Sequence, residues 1–212
     1  MINTVVFDIG NVLVRFDWIS YLITLLKDTT IVNIIQEAIT KSNFWNEMDL
    51  GFLSENELIQ LVQSYSSGYE KEVQLVYKHI GRSLIKCDYA NSWINELKKK
   101  GYRIFYLSNY SKYTIQRNPD IYDFLPLMDG GILSSDIHLL KPDPSIYKAL
   151  CNKYNLLPAN CLFIDDSLRN IVTAQEMGMI TYLFSDFRKA YTEINKILVP
   201  SSNTINNLNR NF

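Results

Sequence analysis

Thr4-Val5-Val6-Phe7-Asp8-Ile9-Gly10-Asn11-Val12-Leu13 decides the fold of this chain. It opens with a short apolar, β-branched run that ends in an acid, the pattern of a strand buried on both faces. Three later segments repeat it. Arg103–Leu107 ends at Ser108-Asn109, Ile132-Leu133 ends at Ser134-Ser135, and Cys161–Ile164 ends at Asp165-Asp166. A weaker run follows at Ile180–Leu183. Helical patterns lie between them: 89–100, stopped by Gly101; 144–154, with Pro144 in its first turn; and 168–177, stopped by Gly178. Strands alternating with helices predict an α/β fold with a mainly parallel sheet.

The stretch from Phe16 to Lys86 breaks that rhythm. It reads as successive helices with no convincing buried strand, one of them opened by the capping box Ser54-Glu55-Asn56-Glu57 and another running over 70–80. At roughly 150 residues per domain, 212 residues make about 1.4 domains. The expected division is therefore a core of residues 1–15 and 87–200, a helical insert of residues 16–86, and a loose Asn- and Ser-rich tail over 201–212.

Composition narrows the function. The chain is 47% hydrophobic and 20% charged with a net charge of −1, the profile of an ordinary globular protein. Without a basic excess, nucleic acid is not an expected partner. With no apolar run of the roughly 18 residues a span needs, neither is a membrane. The three cysteines form no CxxC pair, and Asp8 interrupts the apolar N-terminus, so a cytoplasmic setting is expected. His79 and His138 are too isolated to suggest a metal site, and the sequence assigns no oligomeric state.

In open parallel sheets, ligands bind beyond the carboxyl ends of the strands. Asp8, Ser108-Asn109 and Asp165-Asp166 stand at those ends, and Lys141 follows the third strand. Taken singly, each has a plain reading as a helix cap, a turn residue or a solvated lysine. Together they suit phosphate chemistry. A carboxylate can act as a nucleophile and form an acyl phosphate. Several carboxylates repel one another unless a cation such as Mg²⁺, which prefers oxygen ligands, sits among them. A serine hydroxyl and a lysine can hold the oxygens of a phosphoryl group.

The segments Phe7–Leu13, Leu107-Ser108-Asn109, Lys141-Pro142-Asp143-Pro144 and Phe163–Ser167 resemble, in order, the four motifs of the haloacid dehalogenase-like hydrolase superfamily. The resemblance implies a Rossmann-like core with a helical cap inserted after the first motif, where residues 16–86 fall. It also implies a Mg²⁺-dependent phosphatase acting on a small phosphorylated metabolite, with Asp8 as nucleophile and metal ligand. The Gly10 carbonyl would be a second ligand, Asp166 a direct ligand, and Asp165 a ligand directly or through water. Ser108 and Lys141 would hold the phosphoryl group, joined by the backbone N–H groups of Ile9 and Asn109, and Asn170 would support the metal's surroundings. The Asp-Ile-Gly-Asn-Val form and the cap's Asp49-Leu50-Gly51 resemble a subgroup that includes bacterial glucose-1-phosphate phosphatases, which points to a sugar phosphate.

One position departs from the pattern. Most phosphatases of the superfamily carry a second Asp two residues after the nucleophile to protonate the leaving group, and this chain has Gly10 there. Asp17, Glu47 and Asp49 are the cap acids available to replace it, each with a plain reading as a solvated surface acid. The gap keeps two rivals open: a haloacid dehalogenase, and a weakly active binder of phosphorylated ligands. The Asp165-Asp166 pair weighs against the first, because dehalogenation needs no metal. Phe44 and Trp45, just before the cap turn, are expected to face the site and exclude water when the cap closes.

Overall fold

A computed structural model describes residues 1–198 of the chain, so residues 199–200 and the tail expected over 201–212 lie outside it. Strand β1 (Thr4–Phe7) is followed by β2 (Val14–Phe16) and then by five helices: α1 (Trp18–Leu26), α2 (Thr29–Lys41), α3 (Phe44–Leu50), α4 (Glu55–Gln63) and α5 (Glu70–Lys78). β3 (Leu84–Lys86) and α6 (Ala90–Lys99) return the chain to the sheet. β4 (Arg103–Ser108), α7 (Lys112–Arg117), β5 (Gly130–Leu133), α8 (Ser134–Ile137) and α9 (Pro144–Tyr154) come next. β6 (Cys161–Asp165), α10 (Leu168–Glu176), β7 (Ile180–Leu183) and α11 (Phe187–Leu198) complete the described chain.

The main sheet has five parallel strands in the order β5-β4-β1-β6-β7, flanked by helices in a Rossmann-like α/β arrangement. Strand alternation supplies a core on each face. Val5 and Phe7 pack with Trp93, Ile94 and Leu97 of α6 and with Ile194 of α11 on one side. Val6, with Phe105 and Phe163 of the neighbouring strands, packs against Ile146, Tyr147 and Leu150 of α9 on the other. Because both faces are covered, the strands read in sequence as apolar runs.

The five helices between β2 and β3 have an apolar core of their own, built around Trp18, Leu22, Ile35, Phe44, Leu58 and Val76. Here the sequence expectation needs correction. The stretch is not purely helical, since β2 and β3 pair antiparallel, with Val14 opposite Lys86 and Phe16 opposite Leu84. The expected boundary at 15/16 falls inside β2, and that at 86/87 falls directly after β3. Each strand is three residues long, and its neighbours turn at once into other structure, so periodicity has too little length to reveal it.

Candidate active site

Central strand β1 delivers Asp8 one residue past its end, flanked by β4 with Ser108 as its last residue and by β6 with Asp165 as its last residue. The strand order thus brings three side chains from distant parts of the chain to one edge. Lys141, in the loop between α8 and α9, completes a buried cluster.

Three donors converge on Asp8 Oδ1: the Ile9 N–H at 2.7 Å, the Ser108 hydroxyl at 2.6 Å and Lys141 Nζ at 3.0 Å. Oδ2 accepts no hydrogen bond from the described residues. Lys141 Nζ also donates to Asp165 Oδ2 at 2.6 Å. Asp165 Oδ1 takes the Ser167 N–H at 2.8 Å and the Asn170 amide at 3.0 Å, and that amide also reaches Oδ2 at 3.1 Å. Burial pushes the Asp8 carboxyl up to about 6 against the pull of Lys141, with Asp165 adding to the rise. Burial works against the charge of Lys141, but Asp8 and Asp165 outweigh it and hold the ammonium above its ordinary range.

Lys141 is set in place by a neighbour whose side chain the sequence reading overlooked. The Asn109 amide grips the Lys141 backbone at both groups, its oxygen accepting the Lys141 N–H at 2.7 Å and its NH₂ donating to the Lys141 carbonyl at 2.9 Å. Asn11, also overlooked, donates to Asp166 Oδ2 at 3.1 Å. The only hint of it in the sequence is an Asn beside Gly10, a residue type that tolerates the left-handed backbone found there, φ 53°. Asn170 braces Asp165, and its own carbonyl accepts from Tyr147 at 3.0 Å.

Asp8, Asp165 and Asp166 each offer a carboxylate oxygen, and these oxygens lie within 4.8 Å of one another. Three acids against one lysine leave an excess of negative charge where two of the acids, Asp8 and Asp165, are buried and the third, Asp166, is exposed. An all-oxygen donor set of that kind fits a hard divalent cation.

Above the cluster lies a cavity of about 210 Å³. Gly10, Asn11 and Asn109 form its floor, and Phe16, Trp45, Met48 and Asp49 reach it from the β2–α3 side. Trp45 lines the cavity. Phe44 does not: it is buried in the helical insert's own core, edge-on to Tyr77 and Trp45. Consecutive residues on a helix point about 100° apart, so the pair could not share one wall. Glu47 is not on the lining, and Asp17 lies in a separate groove beside Lys27 and Arg82.

The insert meets the core next to this cavity. The Ser134 hydroxyl donates to the Asp49 carbonyl at 2.6 Å, and His138 Nδ1 lies 2.7 Å from the Leu50 carbonyl, with its ring stacked on Phe52. Gly51 presses so closely on Ser135 that a Cβ there would fall 2.8 Å from the serine Cβ.

Asp8 past the end of central β1, Ser108 and Asp165 at the ends of the adjoining strands, and Lys141 from the α8–α9 loop meet at one edge of a parallel sheet. The chain belongs to the haloacid dehalogenase-like hydrolase family, whose model matches residues 2–178. Among curated proteins it is similar to the sesquiterpene phosphatase astK of Aspergillus oryzae, at 23% identity over 91% of this chain and 95% of that protein. The drimenol cyclase drtB of Aspergillus calidoustus is 24% identical over 87% of this chain, which spans only 34% of that protein. Among solved structures, the family enzyme bt-2542 of Bacteroides thetaiotaomicron, in complex with magnesium and inorganic phosphate, superposes with a TM-score of 0.71. That match has 20% identity over 90% of this chain and 100% of the other, a likeness of fold.

Proposed function

We propose that this hydrolase is a Mg²⁺-dependent phosphatase that releases phosphate from a small phosphorylated metabolite through an aspartyl-phosphate on Asp8. The observation that carries it is the buried Asp8–Ser108–Lys141–Asp165 cluster, whose chain neighbours Gly10 and Asn109 line an adjoining cavity able to hold a leaving group. Asp8 attacks phosphorus, the bond from phosphorus to the leaving oxygen breaks, and water then cleaves the acyl phosphate to return the free carboxylate. Ser108 and Lys141 already sit at hydrogen-bonding distance from the nucleophile, where they can donate to the phosphoryl oxygens. The N–H groups of Ile9, which donates to Asp8 at 2.7 Å, and of Asn109 would join them. Asp8, the Gly10 carbonyl and Asp166 would hold the metal, with Asp165 directly or through water. A bound Mg²⁺ offsets the charge of the phosphoryl oxygens.

The cavity also speaks to the leaving group. Phe16, Trp45, Met48, Ile80, Leu84 and Tyr110 make its upper walls largely carbon. A sugar would leave hydroxyls unpartnered against such walls. A compact apolar or aromatic alcohol fits them better, and the sesquiterpene phosphatase among the relatives points the same way. The test is phosphate release from phenyl phosphate, a short isoprenyl phosphate and a hexose phosphate, with and without Mg²⁺. Turnover that needs the metal, favours the first two and vanishes in Asp8→Asn is expected. Metal-independent halide release from a 2-haloacid would instead establish the dehalogenase, and saturable binding without turnover the regulator.

A further inference from the structure

The position two residues past the nucleophile has no side chain, and the fold leaves that space open. A Cβ on Gly10 would meet nothing closer than Tyr110 Cε2, at 4.0 Å. Across the same cavity stands one acid, Asp49, in the last turn of α3. Its main chain is fastened to the core through Ser134, and Leu50 and Gly51 are held against His138 and Ser135. Its carboxyl accepts no hydrogen bond from the described residues and borders the cavity together with Gly10, Asn11 and Asn109. Asp17 and Glu47, the other acids on that side, are not part of this wall.

We propose that Asp49 is the general acid of this site, supplied by the insert where the core has Gly10. This rests on the phosphatase reading above. As Asp8 attacks and the bond between phosphorus and the leaving oxygen breaks, the Asp49 carboxyl O–H gives its proton to that oxygen, so the product departs as a neutral alcohol. The Asp49 carboxylate then takes a proton from the water that attacks the aspartyl-phosphate, which returns Asp49 protonated and Asp8 free. The surroundings suit a group that must carry a proton near neutral pH: burial pushes the Asp49 carboxyl up to about 7, the nearby Asp8 charge contributes to the rise, and Lys141 opposes it. Tyr110, the other titratable side chain on the wall, is itself held protonated by burial.

The experiment is leaving-group dependence of kcat/KM in the intact protein with Mg²⁺, a ratio that reports the steps up to release of the alcohol. Asp49→Asn is expected to lower kcat/KM about 10²–10⁴-fold for an alkyl phosphate, whose alkoxide needs the proton. It should change little for a dinitrophenyl phosphate, whose phenoxide leaves unaided. Placing an acid on the vacant position in the same background, Gly10→Asp with Asp49→Asn, should recover much of the alkyl rate. Equal losses for both substrates in a folded Asp49→Asn protein, judged by an unchanged melting curve, overturn the acid role and leave the phosphatase reading standing. If Asp49→Asn fails to fold, Asp49→Glu decides: alkyl activity retained supports the proposal, and a loss equal for both substrates overturns it. A wild-type protein that hydrolyses neither phosphate overturns the phosphatase reading, and the acid role with it.

Discussion

Replacing Gly51 with alanine tests whether contact between the insert and the core is what completes the cavity. Gly51 lies at φ +71°, and an added methyl would stand 2.8 Å from Ser135 Cβ and 2.9 Å from the Ser135 carbonyl oxygen. Carbon atoms rest about 3.5–4.0 Å apart, so the two segments must separate by roughly 0.7–1.2 Å. The contacts beside it have no such slack. The bonds from Ser134 to the Asp49 carbonyl, 2.6 Å, and from His138 to the Leu50 carbonyl, 2.7 Å, move out of ordinary hydrogen-bond range. Each contributes about 1 kcal/mol, and 2 kcal/mol lowers the ratio of docked to lifted insert by about 30-fold. Gly68→Ala is the control. Gly68 has a similar backbone, φ +88°, with nothing within 4 Å of an added Cβ. Both variants carry the left-handed penalty of roughly 1–2 kcal/mol in a urea titration, and Gly51→Ala should lose up to about 2 kcal/mol more through the two broken bonds. Only Gly51→Ala should also lose kcat/KM toward an alkyl phosphate, by up to about 30-fold. Matching kcat/KM values in the two variants would refute the reasoning.

Phe44→Ala removes a ring buried in the insert's core and should destabilise the protein by about 3–5 kcal/mol in thermal melts while keeping the order of preference among substrates. Trp45→Ala removes a cavity wall and should change that order with a smaller loss of stability; the reverse outcome would mean the two rings have been assigned to the wrong surroundings. Burial works against the charge of Asp129, but the Ile104 N–H at 2.7 Å and Lys98 at 2.9 Å outweigh it and hold the carboxyl below its ordinary range. A carboxyl lowered in the folded state contributes stability above its unfolded value of about 3.9 and loses it as pH falls through the folded value. The stability difference between wild type and Asp129→Asn should therefore shrink between pH 6 and pH 3 in urea titrations, and a constant difference would show that the carboxylate's charge contributes nothing.

The parts of the fold that could be read from the sequence have a common physical cause. A parallel strand covered on both faces must be apolar along its whole length, so Thr4–Phe7 and Cys161–Asp165 announce themselves, and the polar residue that ends each run marks the edge where ligands bind. Asp8, Ser108 and Asp165 are legible by that route, and the structure brings them together with Lys141, which ends no strand. The Asn109 grip on Lys141 is not legible, because it depends on a contact across 32 residues that no local pattern encodes. Nor could periodicity sort Phe44 from Trp45. α3 has seven residues, and which of its sides meets the core is decided by packing elsewhere in the insert.

Charge explains why so much polar structure surrounds a single lysine. The Lys141 ammonium touches two carboxylates, Asp8 and Asp165, and both are buried. Removing it would leave two acids facing each other in a medium that solvates neither. The ammonium must therefore stay fixed while a phosphoryl group, itself an anion, enters beside it. The Asn109 amide fixes its backbone, the Asn170 amide and the Ser167 N–H fix Asp165, and Ser108 fixes Asp8. Each of these donors holds an acid or the lysine in place without adding charge, so the excess negative charge of Asp8, Asp165 and Asp166 is left for a cation to balance. The site is therefore built with its positioning groups neutral and its imbalance confined to the one spot where three carboxylates meet. A second acid next to Asp8, at position 10, would add to that imbalance when ionised. An acid arriving from the insert adds to it only when α3 is docked, which couples the proton source to the same contact that closes the cavity.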